Sequence, residues 1–160
     1  MTTDAIRGPI HSDDVPWEEW SEGTRFGSRA RKLGKVAGAA HVGVLIEELP
    51  PGKQSCPFHY HMLEEEHLYV LEGSATLRLG DATYPLVPGD YVCFPAGQRA
   101  GHCLINHTDA PFRFLMIGEK NPHEVCVYPD SGKVAVDALG VILDLAATRD
   151  YWAGEKANEP

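Results

Sequence analysis

Apolar and polar positions alternate in short runs along most of this chain, and Gly and Pro interrupt the runs at close intervals. The segment 112–117 shows the pattern: Phe112, Phe114 and Met116 share one face of an extended stretch, and Arg113, Leu115 and Ile117 share the other. Which of the two sets faces inward stays open at this level. Comparable β-rich runs recur at 29–33, 41–49, 58–61, 66–71, 75–79, 83–87, 91–94, 102–105 and 125–128. Segments this short, bounded by turn residues, predict an all-β sandwich or barrel and argue against alternating βα units. Residues 1–22 read as an irregular arm, with one short helical turn within 12–20 behind an acidic cap. Trp17 and Trp20 are placed to dock that arm onto the barrel or onto a partner subunit. The barrel is expected over 23–145, where 134–145 fits either a last strand or a short helix, and 146–160 reads as a loose tail. No internal repeat is visible, so one barrel is expected.

Composition narrows the partners. A chain of 160 residues, 43% of them hydrophobic, buries about two thirds of its unfolded surface and needs no disulfide to hold a core. A formal charge of −9 and a pI near 5.3 repel a nucleic-acid backbone, and no basic cluster offsets them. The first residues lack the apolar segment of a signal peptide, and no apolar run reaches membrane-spanning length, so a cytoplasmic protein without a membrane partner is expected. Cys56, Cys93, Cys103 and Cys126 form no CxxC pair and read as free thiols.

The candidate chemistry lies in the middle of the chain. His59 and His61 stand two apart, so in a strand they point the same way and can converge on one ion. Pro50, Pro51, Gly52 and Pro57 before them, and the run Leu68-Tyr69-Val70-Leu71 after them, favour an extended segment. Three carboxylates follow, Glu64, Glu65 and Glu66, of which Glu65 faces away from its neighbours' side if the segment is already extended. A third imidazole comes from His102, in the run that resumes after the turn near Pro95 and Gly97. Imidazoles with a carboxylate suit a borderline divalent metal such as iron, manganese, zinc, nickel or copper.

These residues resemble two motifs of the cupin superfamily. Gly52, His59, His61, Glu66 and Gly73 fill the first motif, and Gly89, Pro95, Gly97, His102 and Asn106 the second. Gly52 lies one residue further from His59 than usual, and Gly97 two further from His102, where strict spacing would place Ala100. The intact gap from His102 to Asn106 favours His102, and the six residues between Glu66 and Gly73 favour Glu66. The resemblance covers about residues 40–118, with both motifs inside 52–106. It implies a double-stranded β-helix, the jelly-roll or cupin barrel, and a metal held by His59, His61, Glu66 and His102.

Cupins of this size include oxygenases, isomerases, decarboxylases, lyases and ligand-binding proteins, and the fold alone does not choose among them. The resemblance therefore implies a small metal-dependent enzyme acting on an oxygen-rich small molecule, by dioxygenase-like oxidation or by sugar or carbonyl isomerisation. The alternative is a metal-containing small-molecule or sugar-binding cupin without turnover. Leu68, Val70 and Leu104 are expected to line an apolar pocket, and no second acid or base is evident beside the ligands. His67 should point outward, and one of Glu64 and Glu65 is placed to accept a hydrogen bond from a ligand imidazole. Open sheet edges and the two tryptophans of the arm predict a homodimer.

Overall fold

The structure, a computed structural model, describes residues 8–155. The larger sheet runs in the order β1 (Glu18–Glu22), β2 (Phe26–Arg31), β3 (Val42–Leu49), β10 (Phe112–Glu119), β5 (Glu66–Glu72) and β8 (Tyr91–Phe94). A three-stranded sheet contains β7 (Ala82–Leu86), β6 (Ala75–Leu79) and β9 (His102–Ile105). A four-stranded sheet contains β13 (Val141–Asp144), β12 (Lys133–Val136), β11 (Val125–Tyr128) and β4 (Tyr60–His61). From β3 to β11 the chain passes back and forth between the larger sheet and the two smaller ones, which is the winding of a double-stranded β-helix.

Register decides what faces inward. Along β10, Phe112 pairs with Leu49, Phe114 with Glu47 and Val70, and Met116 with Leu45 and Leu68. Phe112, Phe114, Leu49, Leu68 and Val70 are almost wholly buried, and they meet Ala75, Leu77, Leu86 and Leu104 from the three-stranded sheet in one core. Burying each of these large side chains stabilises the fold by about 1.5–3 kcal/mol before chain entropy is counted. Gly73 sits where β5 turns into β6, with φ of 78°, and a Cβ there would lie 2.3 Å from the Pro111 carbonyl oxygen. The turn therefore needs glycine for its backbone and for its room.

Asn106 ties the next corner. Its amide donates to the Leu49 and Ala110 carbonyls at 2.9 and 2.8 Å, and its oxygen accepts from the Thr108 backbone N–H at 2.9 Å and from the Thr108 hydroxyl at 2.7 Å. This buried side chain satisfies the loop beyond β9 and holds no position in the pocket.

Three expectations change. The arm is not irregular up to residue 22, because Glu18–Glu22 pairs with β2 as the edge of the larger sheet, and the turn within 12–20 is a single 3₁₀ turn at Ser12–Asp14. Backbone pairing, with every side chain of β1 exposed, outweighs its missing alternation. The stretch 29–33 ends as a strand at Arg31 and passes into α1 (Leu33–Ala37), closed by Gly38 in the left-handed conformation. The stretch 134–145 holds two strands, β12 and β13, joined by a 3₁₀ turn. Trp17 lies under the Arg29 and Arg31 guanidinium groups, each 4.7 Å from its ring centroid, and Trp20 donates to Ser28 Oγ at 2.9 Å. Both tryptophans thus lie against their own barrel. Residues 1–7 of the arm and 156–160 of the tail lie outside the described residues.

Candidate metal centre

The backbone brings His59 and His102 face to face. Each donates its N–H to the other's carbonyl, at 3.3 and 2.7 Å, which bridges β9 to the segment leading into β4. His61 follows on the same face by strand alternation. Glu66 begins β5 opposite Gly118, where a Cβ would lie 3.2 Å from the Glu66 carboxylate oxygen; the missing side chain leaves that carboxylate its place.

The four candidate side chains converge. His59 Nε2 lies 3.1 Å from His61 Nε2, and Glu66 Oε2 lies 3.4 Å from His61 Nε2 and 3.2 Å from His102 Nε2. One donor atom from each residue falls within 4.8 Å of all the others, a cluster with the chemistry and spacing to hold a metal. His102 rather than Ala100 reaches this point, because residues 97–101 form the lengthened turn and the strand begins at His102.

Surrounding groups orient the rings. His59 Nδ1 lies 2.8 Å from the Pro57 carbonyl, which can only accept, so that nitrogen carries the proton and Nε2 keeps its lone pair for the cluster. The His102 ring stacks on Phe94, with centroids 3.9 Å apart. His61 Nδ1 is buried without a hydrogen-bond partner but faces two carboxylates, Glu124 Oε1 at 3.5 Å and Glu64 Oε2 at 3.7 Å. Glu124 is 2% exposed and is held by the backbone N–H groups of Met62 at 2.8 Å and Leu63 at 3.0 Å. Carboxylates behind an imidazole fix its tautomer and raise its basicity. Glu64 and Glu124 thus stand beside His61 Nδ1 as charges, without a hydrogen bond to it.

Electrostatics agree with this arrangement. Burial works against the charge on Glu66, yet the hydrogen bonds and positive character of His102 and His61 outweigh it and hold the carboxyl well below the usual range. Burial, reinforced by His102, pushes His59 down to about 4, so its ring is neutral near pH 7. His61 is also opposed by burial, but Glu66, Glu124 and Glu64 together raise it above the ordinary imidazole value. The neutral lone pair of His59, the ionised Glu66 and the orphaned His61 Nδ1 facing carboxylates all fit a cation at the centre.

The cluster opens into a cavity of about 220 Å³ walled by Leu68, Phe94, Phe114 and Met116. Leu68 and Leu104 line it as expected, whereas Val70 is packed in the core. Its wall also carries Glu47, which contradicts the expectation that no further acid or base accompanies the ligands. β3 places Glu47 and Glu48 side by side, so strand parity sends one inward and the other outward. Glu48 goes outward to Arg29 and Arg113, at 2.7 and 2.8 Å, and Glu47 faces the cavity. Burial pushes the Glu47 carboxyl up, a hydrogen bond to Ser28 offsets part of this, and the charge of Glu66 adds to the rise. None of the cavity's lining residues is Lys or Arg. A larger depression of about 520 Å³ near Trp20, Arg29 and Lys53 contains no converging donor set among the described residues.

His67 points to the outer face, as expected. All four cysteines are free, Cys103 and Cys126 buried and Cys56 and Cys93 half-buried. Burial pushes the Cys56 thiol at the cavity wall up to about 12, which removes it as a thiolate nucleophile. No helix among the described residues is long and apolar enough to cross a membrane.

Comparisons with known proteins bear on the same segment. No curated protein matches the chain. A solved cupin-superfamily sugar phosphate isomerase from Silicibacter pomeroyi is 31% identical with a TM-score of 0.79, the alignment covering 89% of this chain and 96% of that one. A protein of Acidithiobacillus ferrooxidans provisionally named a sugar phosphate isomerase is 32% identical with a TM-score of 0.73, covering 78% and 80%. The polyketide cyclase RemF of Streptomyces resistomycificus is 29% identical with a TM-score of 0.61, covering 71% and 80%. The family model described as "Cupin domain" matches residues 45–118, the span that carries all four converging side chains and Glu47, and with these relatives it shows that the chain belongs to the cupin superfamily.

Proposed function

We propose that His59, His61, Glu66 and His102 hold a divalent transition metal, whether iron, manganese, zinc, nickel or copper, and that the protein is an enzyme moving a proton at the carbon next to a carbonyl in a small uncharged molecule. The observation that carries this reading is one cavity with a metal-type donor cluster and, among the described residues of its wall, one carboxylate beyond that cluster, Glu47. A bound ion would supply Lewis-acid polarisation of a carbonyl oxygen. Glu47 takes and returns the proton: its raised value brings a carboxyl closer to neutrality, where proton transfer in both directions is efficient. Leu68, Phe94, Phe114 and Met116 exclude bulk water, which strengthens each polar contact inside. Sugar phosphate isomerisation and polyketide cyclisation, the activities in the names of the solved relatives, are both chemistry that removal of such a proton can start. Apart from the metal itself, the lining holds no Lys or Arg to pair with a phosphate, which supports an uncharged substrate over a phosphorylated one.

The test is solvent-deuterium incorporation by metal-loaded protein in a panel of small sugars, ketones and hydroxyketones, followed by proton NMR with dissolved oxygen monitored alongside. Exchange next to the carbonyl, abolished in Glu47→Gln with metal content unchanged, is the expected result. Binding of the panel without exchange would favour a binding protein, and oxygen consumption with an iron-loaded sample would favour the oxidative reading.

A further inference from the structure

We infer that the outer face of the larger sheet carries a second metal site, formed by Glu65, His67 and Cys93 and suited to zinc. Strand parity separates it from the inner centre: Glu66, Leu68 and Val70 face the interior, so Glu65 and His67, on either side of Glu66, face out. Cys93 of the edge strand β8 is the register partner of His67, which places thiol and imidazole directly across the ladder. His67 Nε2 lies 3.1 Å from Glu65 Oε1, and one donor atom from each of the three residues falls within 4.8 Å of the other two.

The donors are held in place independently of any ion. Glu65 donates its backbone N–H to Glu119 Oε2 at 2.9 Å and accepts from the Glu119 backbone N–H at 3.1 Å. His67 Nδ1 meets the Tyr91 hydroxyl at 2.8 Å, and the two rings stack 17° from parallel. With Nδ1 engaged by Tyr91, Nε2 is the nitrogen directed at Glu65, the arrangement by which an outer partner fixes a ligating imidazole, and Tyr91 also stands beside the Cys93 thiol. A bare ion pair between His67 and Glu65 would explain one contact but not the thiol brought to the same point. Thiolate, imidazole and carboxylate together select zinc over magnesium or calcium, and three protein donors leave a fourth tetrahedral position to water on this open face. Binding would release the Cys93 proton and clip β8 to β5 along the edge of the sheet.

Equilibrium dialysis of the full chain against zinc, repeated with cobalt, tests the site. Wild type is expected to bind two equivalents, and the cobalt form to show a thiolate-to-metal charge-transfer band. Cys93→Ser and His67→Ala should each lose one equivalent, Cys93→Ser should lose the band, and both should keep the equivalent that His59→Ala removes. That retained equivalent reports that the variants are folded. No equivalent lost in either Cys93→Ser or His67→Ala overturns the inference. A single wild-type equivalent that is lost in Cys93→Ser and His67→Ala but kept in His59→Ala would leave the outer site standing with the inner one empty, so the two centres fail separately.

Discussion

Replacing Glu124 by glutamine isolates the charge that stands behind His61. The carboxylate lies 3.5 Å from His61 Nδ1, is 2% exposed, and accepts two backbone N–H groups, so it neither moves freely nor is screened by water. Removing such a partner of a ligating imidazole typically weakens metal binding by about 10–100-fold, or about 1.4–2.7 kcal/mol. Glu64 remains 3.7 Å from the same nitrogen, so Glu124→Gln is expected at the lower end, about 10–30-fold. The alanine variant separates binding from folding. It strands the N–H groups of Met62 and Leu63, each at a cost of about 1–3 kcal/mol, so Glu124→Ala should lose stability as well as affinity. Isothermal titration with the preferred metal, alongside urea unfolding of the metal-free forms, reads both quantities. Unchanged affinity in Glu124→Gln, with the fold intact, would refute the role assigned to this carboxylate.

Further outcomes test other parts of the structure. Protein purified without added metal should contain a near-stoichiometric transition metal at the inner centre, lost in both His59→Ala and His102→Ala by elemental analysis. Metal affinity should weaken as pH falls through the raised His61 value, above the ordinary 6.5, with His59 adding to the loss only near pH 4, as titrations across pH 4–8 would show. In the metal-free protein the two rings act oppositely on stability: His61 stabilises below 6.5 and loses this as pH rises through its raised value, whereas the His59 contribution is present above 6.5 and lost toward pH 4. Gly73→Ala should cost about 2–5 kcal/mol in urea unfolding, since left-handed backbone strain adds to a clash with Pro111. Glu48→Ala should cost about 2 kcal/mol, below the value for a fully buried pair, because Arg29 and Arg113 are more than a third exposed and can regain water.

The inner cluster was legible because its signals are local. Two histidines two apart share a face by parity, and the six-residue step from Glu66 to Gly73 ends at a turn that only glycine can make. The step from Pro95 to His102 was readable for a different reason: a turn tolerates insertion, whereas the gap from His102 to Asn106 spans a strand whose register is fixed. Glu124 was invisible, since its approach to Met62 and Leu63 depends on the pairing of β4 with β11 across about sixty residues. Glu47 did leave a trace, because adjacent carboxylates within a strand force one toward the interior. The strand β1 left none; Glu18–Glu22 carries Trp20 between glutamates with every side chain exposed, and becomes a strand through the neighbour it meets.

The inner cluster draws on all three sheets: His61 from β4, Glu66 from β5 and His102 from β9, with His59 at the junction of two of them. An ion at that point is a fastener between walls that are otherwise joined by packing and loops. His59, His61 and Glu66 lie close together in sequence, but His102 is 36 residues beyond Glu66, so the full donor set assembles only when the walls close, and on the proposed reading tight metal capture would follow folding. The same coupling runs in reverse, since release requires a wall to part. At free metal one hundred times the dissociation constant, the fastener adds about 2.7 kcal/mol to the folded state. On the proposed centre, metal supply would then set the stability of the barrel as well as its chemistry.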